Sequence, residues 1–190
     1  MMRRLLLLLL LPLLTACESE PLYDTEYPVY FTFDTKLHAT SLLSRMVENV
    51  NYFVFVTSTL DGRAHILTID ANNGKSETLR IESEAENRAI RSMGARNSLI
   101  LGCVFGLEMN QTAGSYSYVA FDRQCPACLA NRTGTNYPLQ WTKTANTVGC
   151  NTCQRTYQLL GAGTSSDGYR LKTYHMRYDQ TQKIFIVTNQ

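Results

Sequence analysis

The sequence lacks most of the features that mark nucleic-acid-binding proteins and the common classes of enzyme. It has no run or stripe of Lys and Arg, which argues against nucleic acid as a partner. It also has no HExxH motif, no nucleophile elbow and no phosphate-binding glycine loop, so no catalytic residues are predicted. Histidine is scarce: His38, His65 and His175 are the only ones, and none adjoins a cysteine motif. We predict that all three are ordinary strand or surface residues.

Apolar runs long enough to matter for a membrane are also rare, and Leu5–Leu14 at the N-terminus, interrupted only by Pro12, is the strongest candidate. Ten helical residues span about 15 Å, roughly half of the hydrocarbon core of a bilayer. Arg3 and Arg4 precede the run and provide a positive n-region. This combination predicts a signal peptide over residues 1–16 and no permanent membrane span.

The apolar run ends in Leu14-Thr15-Ala16-Cys17, which resembles the lipobox of bacterial lipoproteins. The resemblance implies that Cys17 carries a lipid and anchors the protein to a membrane of the cell envelope. Residues 17–27 are acidic and contain proline, which predicts a flexible tether. Acidic residues after the lipidated cysteine also resemble a surface-export signal. Removal of residues 1–16 leaves equal numbers of basic and acidic residues, 16 of each.

Residues 28–190 are predicted to form one all-β domain, a small antiparallel sandwich or barrel. Alternating apolar and β-branched residues predict strands, and "ESEAENRAIRSM" (82–93) predicts a short helix ending at Gly94. Trp141 and the tyrosines are predicted to pack the sandwich. The predicted strands are 28–34, 51–59, 63–70, 98–107 and 115–121, followed by a C-terminal hairpin of 168–178 and 183–189.

Cysteine is the residue that carries chemistry here. Cys125 and Cys128 form one CxxC pair, and Cys150 and Cys153 form a second pair after a spacer of 21 residues. Each CxxC turn can bring two thiolates to one point, so two turns make an economical tetrahedral metal site. Pro126 and Gly149 are expected where the backbone bends tightly. Cys103 lies in an apolar run and is predicted to be a buried core residue.

The cysteines admit other interpretations. Outside the cytoplasm they could form two disulfides that staple the loops of an interaction module. "CPAC" after a strand also resembles the redox motif of thioredoxin-like proteins. That fold needs a helix at the motif and a later facing proline. "LANRTGTNYP" (129–138) is a poor helix, and no proline follows Pro138.

The flanks of the two pairs, "YVAFDRQCPAC" and "VGCNTCQRTYQLL", resemble the two cluster-binding loops of the Rieske family. Cys125-Pro126 stands where that family has its first cysteine and proline, and Tyr157 matches an aromatic residue of the second loop. The resemblance covers residues 98–190 and implies an antiparallel β-sandwich of Rieske-like type, with the cysteines on long loops.

The sequence departs from the Rieske pattern at the ligands, because Cys128 and Cys153 stand in place of the two histidines. Imidazole ligands raise the reduction potential of a Rieske cluster and couple electron transfer to protonation, so quinol oxidation and oxygenase electron supply are not implied.

The leucine run behind Arg3 and Arg4 resembles a general secretory signal, which directs unfolded chains across the membrane. Such a chain takes up its metal after export, which favours zinc or mononuclear iron over a preassembled [2Fe-2S] cluster.

Two functional hypotheses follow. In the first, a lipid-anchored Rieske-like domain binds zinc, iron or an iron–sulfur cluster through Cys125, Cys128, Cys150 and Cys153, structurally or for electron transfer. In the second, the same domain is a non-enzymatic interaction module whose four cysteines form disulfides. Neither hypothesis names a substrate or a protein partner.

Overall fold

A computed structural model describes residues 26–105 and 116–189 of the chain. The predicted signal peptide 1–16, the lipidation site Cys17 and nearly all of the tether 17–27 lie outside these residues. Within the described ranges, no helix is both long enough and apolar enough to cross a membrane.

The described residues form twelve strands and three short α-helices. The strands are β1 (Val29–Asp34), β2 (Tyr52–Asp61), β3 (Ala64–Ala71), β4 (Ser76–Arg80), β5 (Ile90–Met93), β6 (Ser98–Phe105), β7 (Tyr116–Asp122), β8 (Leu139–Trp141), β9 (Thr147–Cys150), β10 (Thr156–Gln158), β11 (Thr173–Asp179) and β12 (Ile184–Thr188). The helices are α1 (Leu42–Glu48), α2 (Glu84–Ala89) and α3 (Pro126–Asn131).

Nine strands form one antiparallel sheet in the order β4-β3-β2-β6-β7-β11-β12-β1-β5. Side chains from both halves of this order, Leu67 and Ile69 of β3 and Phe31 and Phe33 of β1, belong to one buried cluster. The sheet therefore curls around this inner core. The all-β, antiparallel class predicted from the sequence is confirmed.

The middle of the large sheet is buried on both faces. Along β2, Val54 and Val56 point into the inner core, whereas Phe53 and Phe55 point into a second core on the other face. Every residue of β6 except Phe105 is buried. This explains why β6 reads as a continuous apolar run rather than an alternating one.

A second sheet of three strands, in the order β10-β9-β8, covers the outer face. Leu139, Val148 and Tyr157 from these strands join the second core. The Trp141 ring stacks on Phe55 with 3.9 Å between ring centroids and an interplanar angle of 8°. The small sheet therefore packs face to face on β2, β6 and β7, and Trp141 is a packing residue, as predicted.

Two helices differ from the prediction. Helix α1 was not predicted; Leu43 and Met46 bury one side of it in the inner core, and Glu77 accepts hydrogen bonds from the Ser41 hydroxyl and the Leu42 N–H at its start. Helix α2 ends four residues earlier than the predicted segment 82–93. Its last residues instead form β5, because they pair with β1 at the edge of the large sheet.

The strands predicted from alternation are confirmed with small shifts at their ends. The exception is 168–178, where the strand starts only at Thr173. Strands β4, β5, β8, β9 and β10 have between three and five residues each and were not predicted.

Gly102 tests the close contact between β2 and β6. It lies opposite Phe53, and a Cβ at this position would come within 2.2 Å of the Phe53 ring. We predict that Gly102→Ala lowers the free energy of unfolding by about 2 kcal/mol, because the buried ring must leave its site. Urea denaturation measures the change. Gly161→Ala is the control, since its Cβ would meet no atom closer than 3.5 Å; an equal loss in both variants would contradict the contact.

Candidate metal centre

The first cysteine pair lies at the start of helix α3. Strand β7 ends at Asp122, Cys125 is the N-cap residue of α3, and Pro126 occupies its first turn. Cys128 follows three residues after Cys125 and therefore lies on the same side of the helical turn. The helix ends at Asn131, so most of the segment 129–138, predicted to be a poor helix, is not helical. Proline at the first helical position has the backbone angle of a helix and no N–H to leave unpaired.

The buried carboxylate of Asp122 fixes the segment that leads to Cys125. Its Oδ1 accepts from the Gln124 N–H at 2.7 Å, and its Oδ2 accepts from the Ala95 N–H at 2.8 Å and the Tyr174 hydroxyl at 2.9 Å. Burial raises the pKa of Asp122, although these three hydrogen bonds act in the opposite direction. The carboxylate thus ties the end of β7 to neighbouring segments just before the first pair.

The second cysteine pair forms the turn between β9 and β10. Cys150 ends β9, its N–H donates to the Arg155 carbonyl at 2.9 Å, and the Gln154 N–H donates to the Cys150 carbonyl at 2.8 Å. Gln154 has a φ of 60°, so it takes the left-handed conformation that closes the turn. Gly149 lies inside β9 and not at the tight bend, contrary to the prediction.

Residues 137–139 bring the two pairs together. The Cys125 N–H donates to the Tyr137 carbonyl at 2.9 Å on one side of this segment. On the other side, Leu139 of β8 pairs with Cys150 of β9. The same short segment therefore sets the position of both cysteine turns.

All four sulfur atoms of Cys125, Cys128, Cys150 and Cys153 lie within 4.8 Å of one another. The sulfurs of Cys125 and Cys153 are 3.6 Å apart, and those of Cys128 and Cys150 are 3.7 Å apart. A tetrahedron of thiolates at about 2.3 Å from one ion has edges of about 3.8 Å. The four predicted ligands are thus brought together at a spacing that fits a metal ion.

The four cysteines are free thiols, so the interpretation as two disulfides is wrong for this structure. A disulfide bond needs sulfurs about 2.05 Å apart. The sulfur separations of Cys125–Cys153 and Cys128–Cys150 exceed that length by more than an ångström. The proximity of the four sulfurs also gives the second pair a role, which the thioredoxin-like interpretation did not.

Burial and hydrogen bonding act differently on the individual thiols. Burial raises the pKa of Cys125, against hydrogen bonds from the Tyr157 hydroxyl and the Cys128 N–H. Burial and the neighbouring sulfurs also raise the pKa of Cys128. A buried cation offsets the free-energy cost of forming thiolates in this site. Because the thiols must lose their protons to become ligands, metal binding to such a site releases protons.

Cys153 differs from the other three ligands because it is half-buried. Burial acts to raise its pKa, but hydrogen bonds from the backbone and side chain of Arg155 outweigh burial and lower the pKa to about 6. The Arg155 guanidinium also bonds Asp167 at 2.5 Å and lies 4.6 Å from the centre of the Tyr169 ring. Arg155 is therefore held beside the sulfur by two further side chains.

The sequence did not single out Arg155, Asp167 or Tyr169. A basic residue two positions after the second CxxC was the available signal for Arg155. Nothing in the sequence indicated that Asp167 and Tyr169 would return to the same place. Tyr157 was noted only through the Rieske resemblance; its hydroxyl lies 3.3 Å from the Cys125 sulfur.

The remaining predicted residues lie where the sequence suggested. Cys103 is a buried free thiol in β6, as predicted. Among the described residues, the four-cysteine group includes no histidine. His38 bonds Glu86 at 2.8 Å, His65 bonds Ser58 at 2.6 Å, and His175 lies in β11.

Comparison with known proteins identifies no relative of this chain, so the site is interpreted from its own geometry. No protein-family model, curated protein or solved structure matches this chain. The Rieske resemblance therefore rests on the residues around the two cysteine pairs and stays a prediction.

Tyr157→Phe tests the hydroxyl that faces the site. Loss of the hydrogen bond to Cys125 should weaken metal binding about tenfold, the low end of the range for groups that support metal ligands. A competition titration with a chromogenic chelator measures the affinity. Tyr137→Phe is the matched control, because the Tyr137 hydroxyl accepts a hydrogen bond from the Gly134 N–H rather than bonding a cysteine sulfur. Unchanged affinity in Tyr157→Phe would contradict the assigned role.

Proposed function

We propose that this protein is an exported, lipid-anchored Rieske-like protein of the bacterial cell envelope that holds one zinc ion as a structural centre. Cys125, Cys128, Cys150 and Cys153 are the ligands. The observation that carries the proposal is the convergence of four sulfurs within 4.8 Å, supplied by two separate turns of the chain.

The spacing of the sulfurs supports a single ion over a binuclear cluster. In a [2Fe-2S] centre each iron takes its own pair of protein ligands, and bridging sulfides separate the two irons. The two pairs of thiolates must then lie farther apart than ligands of one ion. A largest separation of 4.8 Å between any two sulfurs supports one shared metal.

The closed character of the site supports zinc in a structural role. Four protein thiolates complete a tetrahedral shell and leave no position for a substrate or water, the usual arrangement of structural zinc. Uptake of a single ion after export is also compatible with the secretory signal predicted over residues 1–16.

The position of the site supports a stabilising role for such an ion. One pair of ligands belongs to the start of α3 and the other to the turn between β9 and β10. Strands β8, β9 and β10 have only three or four residues each, too short for an independent sheet. Cross-linking by the metal would fix this small sheet on the outer face of the large one.

Mononuclear iron for electron transfer is the second candidate, because a tetrathiolate site suits iron as well as zinc. The half-buried position of Cys153 favours it, since one ligand reaches the surface where a redox partner could approach. A visible charge-transfer absorption in the purified protein would identify iron. Bound zinc without that absorption identifies the structural centre.

Replacement of two ligands tests the metal site. We predict that the double variant Cys125→Ser, Cys150→Ser loses its metal, from one equivalent to below about a tenth, because each turn loses a thiolate. Elemental analysis of the purified protein measures the content. Cys103→Ser is the control, since Cys103 is not among the four clustered sulfurs. A wild-type protein with no metal and no free thiols at the four positions would overturn the proposal.

Lipid anchoring is tested at Cys17. We predict that Cys17→Ala, expressed in a bacterial host, no longer incorporates labelled fatty acid. Lipidation at a cysteine requires its sulfur, so the variant has no acceptor for the lipid. Cys103→Ala should behave as the wild type. Equal fatty-acid incorporation in Cys17→Ala and wild type would refute the anchor.

A further inference from the structure

A surface depression of about 420 Å³ opens directly onto the cysteine cluster. Cys128 and Cys153 form part of its wall, together with Arg132, Arg155 and Tyr169. The depression gives small solutes from solvent a route to the edge of a site whose other sides are buried in the second core.

Exposure distinguishes Cys153 from the other three ligands. Cys125, Cys128 and Cys150 are 0%, 1% and 3% exposed, whereas Cys153 is half-buried. A small reagent that enters the depression therefore meets the Cys153 sulfur before those of Cys125 or Cys150.

Arg155 makes Cys153 chemically suitable as well as accessible. The Arg155 side chain lines the same depression as Cys153, so a positive charge lies beside the sulfur at the point where a reagent enters. Asp167 and the Tyr169 ring hold the guanidinium in place. A fixed positive charge beside the sulfur also stabilises a hydroxide that leaves when a peroxide is attacked.

The second requirement for reversible oxidation is a nearby thiolate that can complete a disulfide. The Cys125 sulfur lies 3.6 Å from the Cys153 sulfur. Cys128 and Cys150 form a further close pair at 3.7 Å. The site thus holds a reactive sulfur and a resolving sulfur in contact before any oxidant arrives.

We propose that Cys153 is an oxidation site for hydrogen peroxide and small hydroperoxides, that Cys125 resolves the oxidised form, and that the bound metal is released as a result. The proposal rests on the proposed function, since it requires a metal held by the four cysteines.

The reaction balances in two steps. The Cys153 thiolate attacks one peroxide oxygen, the O–O bond breaks, hydroxide leaves and Cys153 becomes a sulfenic acid. The Cys125 thiolate then attacks the Cys153 sulfur, the S–O bond breaks, a second hydroxide leaves and a disulfide forms. Two thiolates are oxidised by two electrons, and one peroxide is reduced to two hydroxides. Only Cys128 and Cys150 then remain as ligands, too few to retain the ion.

The test treats the zinc-loaded protein with less than one equivalent of hydrogen peroxide. A chromogenic chelator reports released zinc, and mass spectrometry after thiol alkylation maps the oxidised cysteines. We expect one zinc released for each peroxide consumed, with a disulfide between Cys125 and Cys153. Cys103 in the same molecule is the internal control, because burial raises its pKa and it should remain reduced.

Two variants separate the roles of the two sulfurs. Cys125→Ser should leave Cys153 as a sulfenic acid that a dimedone probe traps. Cys153→His should keep zinc in a Cys₃His site, while peroxide-driven release falls at least about tenfold because the reactive sulfur is gone.

The outcomes distinguish failure of this inference from failure of the proposed function. A protein that binds no metal at all overturns both. A zinc-bound protein that retains its zinc under peroxide, or releases it with Cys128 or Cys150 oxidised before Cys153, overturns the oxidation site and leaves the metal centre intact.

Discussion

The contact among four sulfur atoms is the constraint on which the outer half of this structure depends. Three of the four are almost fully buried, and burial raises the pKa of Cys125 and Cys128. A set of thiolates packed this closely, in a largely buried place, is costly without a counter-charge. A single metal ion would resolve this conflict, because it would offset the charge of the thiolates and link the two cysteine turns.

The middle of the large sheet is buried on both faces, and the cysteine pairs belong to the core on its outer face. Besides the inner core of the curled sheet, β2, β6 and β7 present an apolar outer face built around Phe53, Phe55 and Phe121. The small sheet covers that face, and the cysteine pairs lie where it joins the rest of the chain. The stacking of Trp141 on Phe55 and the sulfur cluster therefore both hold the small sheet against the large one, at two separate points of the interface.

Sequence reasoning succeeded where the physical signal was local. The alternation in β1 and β12, and the CxxC pairs themselves, are short-range patterns that predicted strands and four ligands. Sequence reasoning failed where tertiary contacts decide: β5 forms because β1 offers an edge, and the short helix α3, which starts at Pro126, was not predicted. Asp167 and Tyr169 reach Arg155 only in three dimensions, so no spacing rule could have linked them to Cys153.

X-ray absorption at the metal edge of the purified protein tests the central claim most directly. One ion held by Cys125, Cys128, Cys150 and Cys153 predicts a single shell of four sulfur neighbours at about 2.3 Å and no second metal nearby. A metal–metal scattering path would contradict the single-ion centre, and a shell containing oxygen or nitrogen would contradict the four-cysteine ligand set.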